Sequence, residues 1–153
     1  MRVLVDTSIW SLALRRTGRV QNPEAEELKR LIGLHVVEII GPIRQEILSG
    51  VRDQSQFGLL ESQLAVFPDL LLHSDDFATA AKMFNLCRSK GIQGSNTDFL
   101  ICAVAVRNDF SIFTTDGDFH LFEKCLPIAI HEFKTRTEPH LVPHGSQARR
   151  RNR

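Results

Sequence analysis

The stretch NTDFLICAVAVRN, residues 96–108, constrains the fold more than any other part of the chain. It has the length and composition of a helix, yet its apolar side chains run nearly all round the circumference instead of along one stripe, so it belongs at the centre of the molecule. Around it, periodicity switches repeatedly between short β-type runs and helical stretches. That alternation is the pattern of an α/β domain with a mostly parallel sheet. RVLV (2–5), HVVEII (35–40), LLLH (70–73), SIFTT (111–115) and PIAIHEF (127–133) read as five strands. Helices are expected over SIWSLALRR, NPEAEELKRLIG, PIRQEILSG, SQFGLLESQLAVF, SDDFATAAKMFNLCRSKG and the apolar segment, with a short one through HLFEK. Asn22 can cap the second helix, with Pro23 at its first position and Gly33 just past its end. Ser74 or Asp75 caps the helix that Gly91 closes.

The 153 residues are 42% hydrophobic and contain no apolar run approaching the ~18 residues of a membrane span. One soluble domain follows, long enough to bury about 70% of the surface its unfolded chain exposes. Cys87, Cys102 and Cys125 are odd in number and never spaced as CxxC, which suits thiols of a reducing compartment better than disulfides or a zinc site. No secretion-type leader is seen after Met1, and a cytoplasmic location is expected.

The net charge of +1 conceals an asymmetry. Residues 136–153 carry Arg136, Arg149, Arg150, Arg151 and Arg153 against Glu138, a net +4, whereas residues 1–135 hold a net −3. The domain is therefore assigned to residues 1–135 and the remainder to a basic, disordered tail. Its arginines could touch phosphates or form a solvated terminus. A generally basic nucleic-acid-binding body is excluded.

Four carboxylates fall at chosen places. In a parallel open sheet the carboxyl ends of the strands form the crevice where ligands bind. Asp6 ends the first strand, and Asp116 follows directly on SIFTT. Asp98 lies in the first turn of the apolar helix, at the crevice end if the crossover is right-handed. Glu46, between Ile43 and Ile47, borders a buried helix face. Each has an ordinary alternative: Asp6 as a helix cap, Asp98 in a capping box with Ser95, Asp116 and Asp118 in a Gly-containing turn, Glu46 solvated. Those separate roles do not require the four to meet, and a partly buried cluster of like charges is repulsive unless a cation neutralises it. All-oxygen ligands favour Mg²⁺, with Mn²⁺ as a substitute, over zinc. The six histidines form no ligand-spaced pair, and His35, His73 and His131, in or beside strands, read as structural. Metal-held water beside a phosphate ester suits phosphodiester hydrolysis.

Taken together, VLVDTSIW, RQEIL, NTDFLICAVA and TTDGDF resemble a PIN-domain ribonuclease, and more narrowly the VapC-type toxins of bacterial toxin–antitoxin pairs. The resemblance runs from Met1 to about Phe133. It implies a three-layer α/β/α fold with a five-stranded parallel sheet and a metal-dependent endoribonuclease leaving 5′-phosphate and 3′-hydroxyl ends. It also implies metal ligation by Asp6, Asp98 and Asp116, with Glu46 binding through water or orienting the nucleophile and Asp118 as a further candidate. Thr7 or Ser8 could contact a metal-bound water or a phosphate oxygen; for Ser8 a capping role stays equally open. Where many relatives have a proline or acid before the aspartate of the buried helix, this chain has SNTD. The resemblance further implies an RNA substrate, a homodimer and a cognate antitoxin, for which Trp10, Leu12, Leu14, Leu28, Leu31 and Ile32 could form a groove or else plain core. A haloacid-dehalogenase-like phosphatase would need a second acid where Ser8 stands. A non-catalytic RNA- or protein-binding module is the competing reading.

Overall fold

The computed structural model describes residues 1–14 and 22–135. Among these are four strands, β1 (Val3–Val5), β2 (Val37–Glu38), β3 (Ser111–Phe113) and β4 (Ala129–Ile130). The seven helices are α1 (Thr7–Leu14), α2 (Pro23–Gly33), α3 (Gly41–Leu48), α4 (Gln54–Leu64), α5 (Ser74–Ser89), α6 (Asn96–Asn108) and α7 (Asp118–Phe122). The strands form one sheet in the order β2-β1-β3-β4, every pairing parallel. Val3 is in register with Val37 on one side and Ser111 on the other. The proposed tail from Arg136, and the end of the first helix at Arg15 and Arg16, lie outside the described residues.

Parallel strands need crossovers, and these are right-handed almost without exception. The chain leaves β1 toward β2 in one direction and then passes back to β3 on the other side. The two crossovers therefore place their helices on opposite faces. α1 and α2 pack together, α5 and α6 pack together, and α6 lies against β3. All residues of α6 from Phe99 to Ala105 are buried, as the apolar circumference requires. Its one ring, Phe99, continues into a row with Phe84, Phe122 and Phe119. Close packing there leaves no room at Gly94, where an added Cβ would sit 2.5 Å from the Phe122 ring.

The expected fifth strand, LLLH, is not formed. One parallel bridge joins Ile39 to Asp69, and the Leu70 amide donates to the Ile39 carbonyl at 2.9 Å. Pro68 before it and the start of α5 at Ser74 after it leave too short a run to extend the ladder, and Leu71 is exposed. The α5 cap also differs from expectation. His73 is the cap residue, and its amide donates to the Asp76 carboxylate at 2.8 Å. Asn22 does cap α2, accepting from the Glu24 and Ala25 amides. Gly33 is the last helical residue, and the left-handed backbone falls on His35 (φ 57).

Of the residues proposed for a partner groove, Trp10, Leu28 and Leu31 are core. The Trp10 indole donates to the Val5 carbonyl at 3.1 Å and meets Phe67 edge-on. Leu12, Leu14 and Ile32 remain partly exposed. Cys87 and Cys102 are buried thiols and Cys125 is half-buried, its sulfur 2.8 Å from that of Cys87. Burial, with Cys125 alongside, pushes the Cys87 thiol up to about 12, so it is not a nucleophile at neutral pH.

The two long helices on the α6 face are tied by one buried ion pair. Arg107, near the end of α6, donates to both Asp76 oxygens at 2.5 and 2.9 Å, and Asp76 is 1% exposed. Burial alone would push the Asp76 carboxyl up, but the Arg107 guanidinium and the His73 amide outweigh it and hold it below the usual carboxylate range. Such a group stabilises the fold above its unfolded value, roughly pH 4, and that contribution is lost as pH falls through the lower folded value. Arg107→Ala strands the carboxylate and is expected to cost about 2–3 kcal/mol at pH 7. In urea unfolding the deficit relative to the parent chain should shrink as the pH is lowered through the carboxylate range; a pH-independent deficit would locate the loss in packing instead.

Candidate active site

Reversal of the chain's direction opens a crevice at the carboxyl ends of β1 and β3, the position at which open α/β sheets bind ligands. Asp6 closes β1 at this point. Its amide continues the ladder to the Phe113 carbonyl at 2.9 Å, and its carbonyl accepts from Ile9 and Trp10 to start α1. The side chain does not cap that helix. Its Oδ2 accepts from the Ser8 hydroxyl at 2.9 Å and the Thr114 hydroxyl at 2.8 Å, and the residue is only 7% exposed.

From Asp6 a chain of hydrogen bonds crosses to the turn after β3. Thr114 Oγ1 accepts from the Asp116 amide at 2.9 Å, and Ser8 Oγ accepts from the Thr115 amide at 3.1 Å. Asp116 Oδ1 in turn accepts from the Asp118 amide at 2.9 Å, which shapes the entry to α7. Ser8 is thus neither a helix cap nor a free hydroxyl; it holds the first carboxylate and the β3 turn together. Thr114 was not singled out from the sequence. The signal was available, because it directly follows a strand at the same sheet edge, within the TTDGDF motif.

Asp98 enters from α6. It forms the capping box expected of it: its Oδ2 accepts from the Ser95 amide at 2.8 Å, while its own amide donates to the Ser95 hydroxyl at 3.1 Å. The box does not exhaust its role. Burial pushes the Asp98 carboxyl above its ordinary value against the two Ser95 hydrogen bonds, and the negative charges of Asp6 and Asp116 push it in the same direction as burial. Asp98 therefore lies within electrostatic reach of both Asp6 and Asp116.

Glu46, exposed on α3, joins through Thr7, whose hydroxyl donates to Glu46 Oε2 at 2.6 Å. The Thr7 hydroxyl, a candidate contact for a metal-bound water or a phosphate oxygen, gives its proton to this bond. Asp118 is exposed at the first turn of α7, and only its backbone takes part. His120 pairs with Glu123, and His131 with the buried Glu27, so neither serves the site. Glu27, also bonded by Arg30, is held below the usual carboxylate range chiefly by that guanidinium. Among the described residues no three His, Cys, Asp or Glu side chains form a ready-made ligand group. The donor set at the crevice is nevertheless hard oxygen throughout and mutually repulsive, the chemistry that suits a hydrated divalent cation keeping several of its waters.

The PIN-domain family profile matches residues 3–124, which takes in all four segments of the crevice. The chain belongs to the PIN-domain family. Ribonuclease VapC11 of Mycobacterium tuberculosis and VapC ribonuclease Mb1587 of Mycobacterium bovis are each 32% identical to this PIN domain over 136 residues, spanning 86% of this chain and 99% of theirs. Two solved structures share the fold. FitAcB from Neisseria gonorrhoeae has a TM-score of 0.69 at 20% identity, covering 85% of this chain and 96% of that one. VapBC2 from Rickettsia felis, bound to a DNA fragment from its promoter, has a TM-score of 0.69 at 16% identity, covering 88% and 100%.

Thr114 is the element of the site that the structure adds, and its part can be tested apart from any reaction. Thr114→Val keeps the shape but removes one donor to Asp6 and the acceptor of the Asp116 amide. A loss of about 1–2 kcal/mol in unfolding free energy is expected. Thr115→Val, at an exposed neighbour, should stay within about 0.5 kcal/mol. Equal effects of the two would mean that the Asp6–Thr114 bond contributes nothing.

Proposed function

We propose that this PIN domain is a metal-dependent endoribonuclease, the toxin of a toxin–antitoxin pair. The charge of Asp6 and Asp116 felt at Asp98 carries the reading, supported by the family and by similarity to VapC ribonucleases over nearly their full length. Asp6, Asp98 and Asp116 would hold Mg²⁺, or Mn²⁺ in its place; such an ion lowers the pKa of bound water and offsets charge on a phosphodiester. Hydrolysis of that kind leaves 5′-phosphate and 3′-hydroxyl ends.

The protein's own contribution is orientation. Ser8 and Thr114 fix the Asp6 carboxylate from two sides, which removes its rotational freedom before substrate arrives. Ser95 fixes Asp98 by holding one oxygen and leaves the other for the crevice. Glu46, steadied by Thr7, would bind the metal through water or help orient the nucleophile. Likeness in fold to FitAcB and VapBC2 supports a protein antitoxin as partner of this chain; a homodimer is proposed as its own assembly. No helix among the described residues is long and apolar enough to cross a membrane; action on cellular RNA in the cytoplasm is part of the proposal.

Purified protein free of antitoxin, incubated with total cellular RNA, provides the test. Discrete cuts with 5′-phosphate ends are expected in Mg²⁺, with at least a 100-fold loss in EDTA and in Asp98→Asn. Cuts that survive either control would remove the metal site from the mechanism. Absence of cutting altogether would favour a module that binds RNA or protein without catalysis.

A further inference from the structure

Beside the carboxylates lies a second concavity that the reading above does not use. Phe84, Arg88, Ile92, Gln93, Gly94 and Phe99 line a cleft of about 140 Å³. Its size is close to the roughly 150 Å³ of a cavity that accepts one benzene ring. Its position follows from the fold: α6 begins at the carboxyl edge of the sheet, α5 packs along it, and the turn joining them therefore lies at that same edge. Phe99 in the cleft wall is the residue after Asp98, and Gly94 immediately precedes the Ser95 cap that holds the Asp98 carboxylate.

The lining is mixed in a particular way. Phe84, half-buried, gives an apolar wall, backed edge to face at 5.5 Å between centroids by Phe99, which is itself buried. Gln93, exposed, brings an amide with two donors and an acceptor to the rim. Arg88, also exposed, makes no ion pair or side-chain hydrogen bond among the described residues, a state it shares with Arg52, whereas Arg2, Arg30, Arg44 and Arg107 are each paired with a carboxylate. Lys90 stands two residues further on, at the end of α5, without an ion pair among the described residues. Residues 1–135 carry a net negative charge, and the crevice holds three carboxylates. A phosphate-bearing strand needs local cations to approach them, and free ones stand at this turn.

We propose that this cleft receives one unpaired base of the RNA strand beside the cut, with Arg88 on an adjoining phosphate and Gln93 reading the base edge. The proposal rests on the ribonuclease reading. An aromatic-walled slot with a polar rim is how single-stranded bases are held, by contact on the ring face and hydrogen bonds at the edge. Charge decides between RNA and a protein occupant here, since the unpaired Arg88 and neighbouring Lys90 match a polyanion. Arg88 and Gln93 are binding residues in this scheme and stand outside the carboxylate machinery.

The test uses the full chain and a single-stranded RNA oligonucleotide containing a site cut in the total-RNA experiment. Arg88→Ala should raise KM about tenfold while kcat stays within about threefold, and Arg88→Lys should recover part of the loss. In an Asp98→Asn background, Arg88→Ala should also lower the slope of log affinity against log salt by about one. Gln93→Ala should change the relative cutting of oligonucleotides that differ only in the nucleotide flanking the cut. Circular dichroism of each variant confirms that the fold is kept. Unchanged KM and salt slope in Arg88→Ala, with the parent chain cutting normally, would overturn the base site and leave the ribonuclease reading standing. A parent chain that cuts no RNA would overturn both.

Discussion

The architecture turns on one buried carboxylate at the end of the central strand. Asp6 interrupts an apolar run where continuation of the strand would be favourable for burial alone, and it stays there because two hydroxyls and a continuing backbone ladder satisfy it. Its neighbours Asp98 and Asp116 add like charge instead of relief. A sheet edge built this way sacrifices stability at the spot where a cation or a polar ligand would restore it, which is the usual compromise of a functional site. The apolar α6 and the rings around it supply the burial that lets the fold carry that cost.

Much of this is legible in the sequence, for identifiable reasons. The α6 segment announces its burial because nothing polar interrupts it between Phe99 and Val106. The strand before Asp6 and the strand before Asp116 are legible as short apolar runs stopped by polar residues. Asp98 illustrates the limit of reading positions singly. Its capping box and its place in the carboxylate cluster are both real, and only the three-dimensional arrangement shows that one side chain can serve both. Thr7, Ser8 and Thr114 were less legible in their roles because a hydroxyl's partner depends on which segments meet, and the bonds of Thr7 to Glu46, Ser8 to Thr115 and Thr114 to Asp6 span 39, 107 and 108 positions.

The missing fifth strand has a different cause. LLLH is apolar enough for a strand, but strand formation at a sheet edge depends on the space left between neighbouring elements. Here Pro68 and the start of α5 confine pairing to one bridge at Asp69, which Arg44 holds at 3.0 Å. Likewise, Trp10, Leu28 and Leu31 look the same in sequence whether they face a partner or the core. The positions of Phe67 and the sheet decide the matter, and no local pattern encodes them.

The parallel pairing of β1 with β3 has a consequence for how the molecule comes into being. The Asp6–Thr114 bond joins residues 108 positions apart, so neither the central ladder nor the crevice can close while the intervening helices are still being made. During synthesis the first strand can pair with β2, but its β3 side and the Thr114 bond to its carboxylate wait until α6 is complete. A partly synthesised or truncated chain that ends before residue 111 thus holds Asp6, Glu46 and Asp98 without the element that gathers them. The same topology that makes the site also withholds it until nearly the whole domain exists.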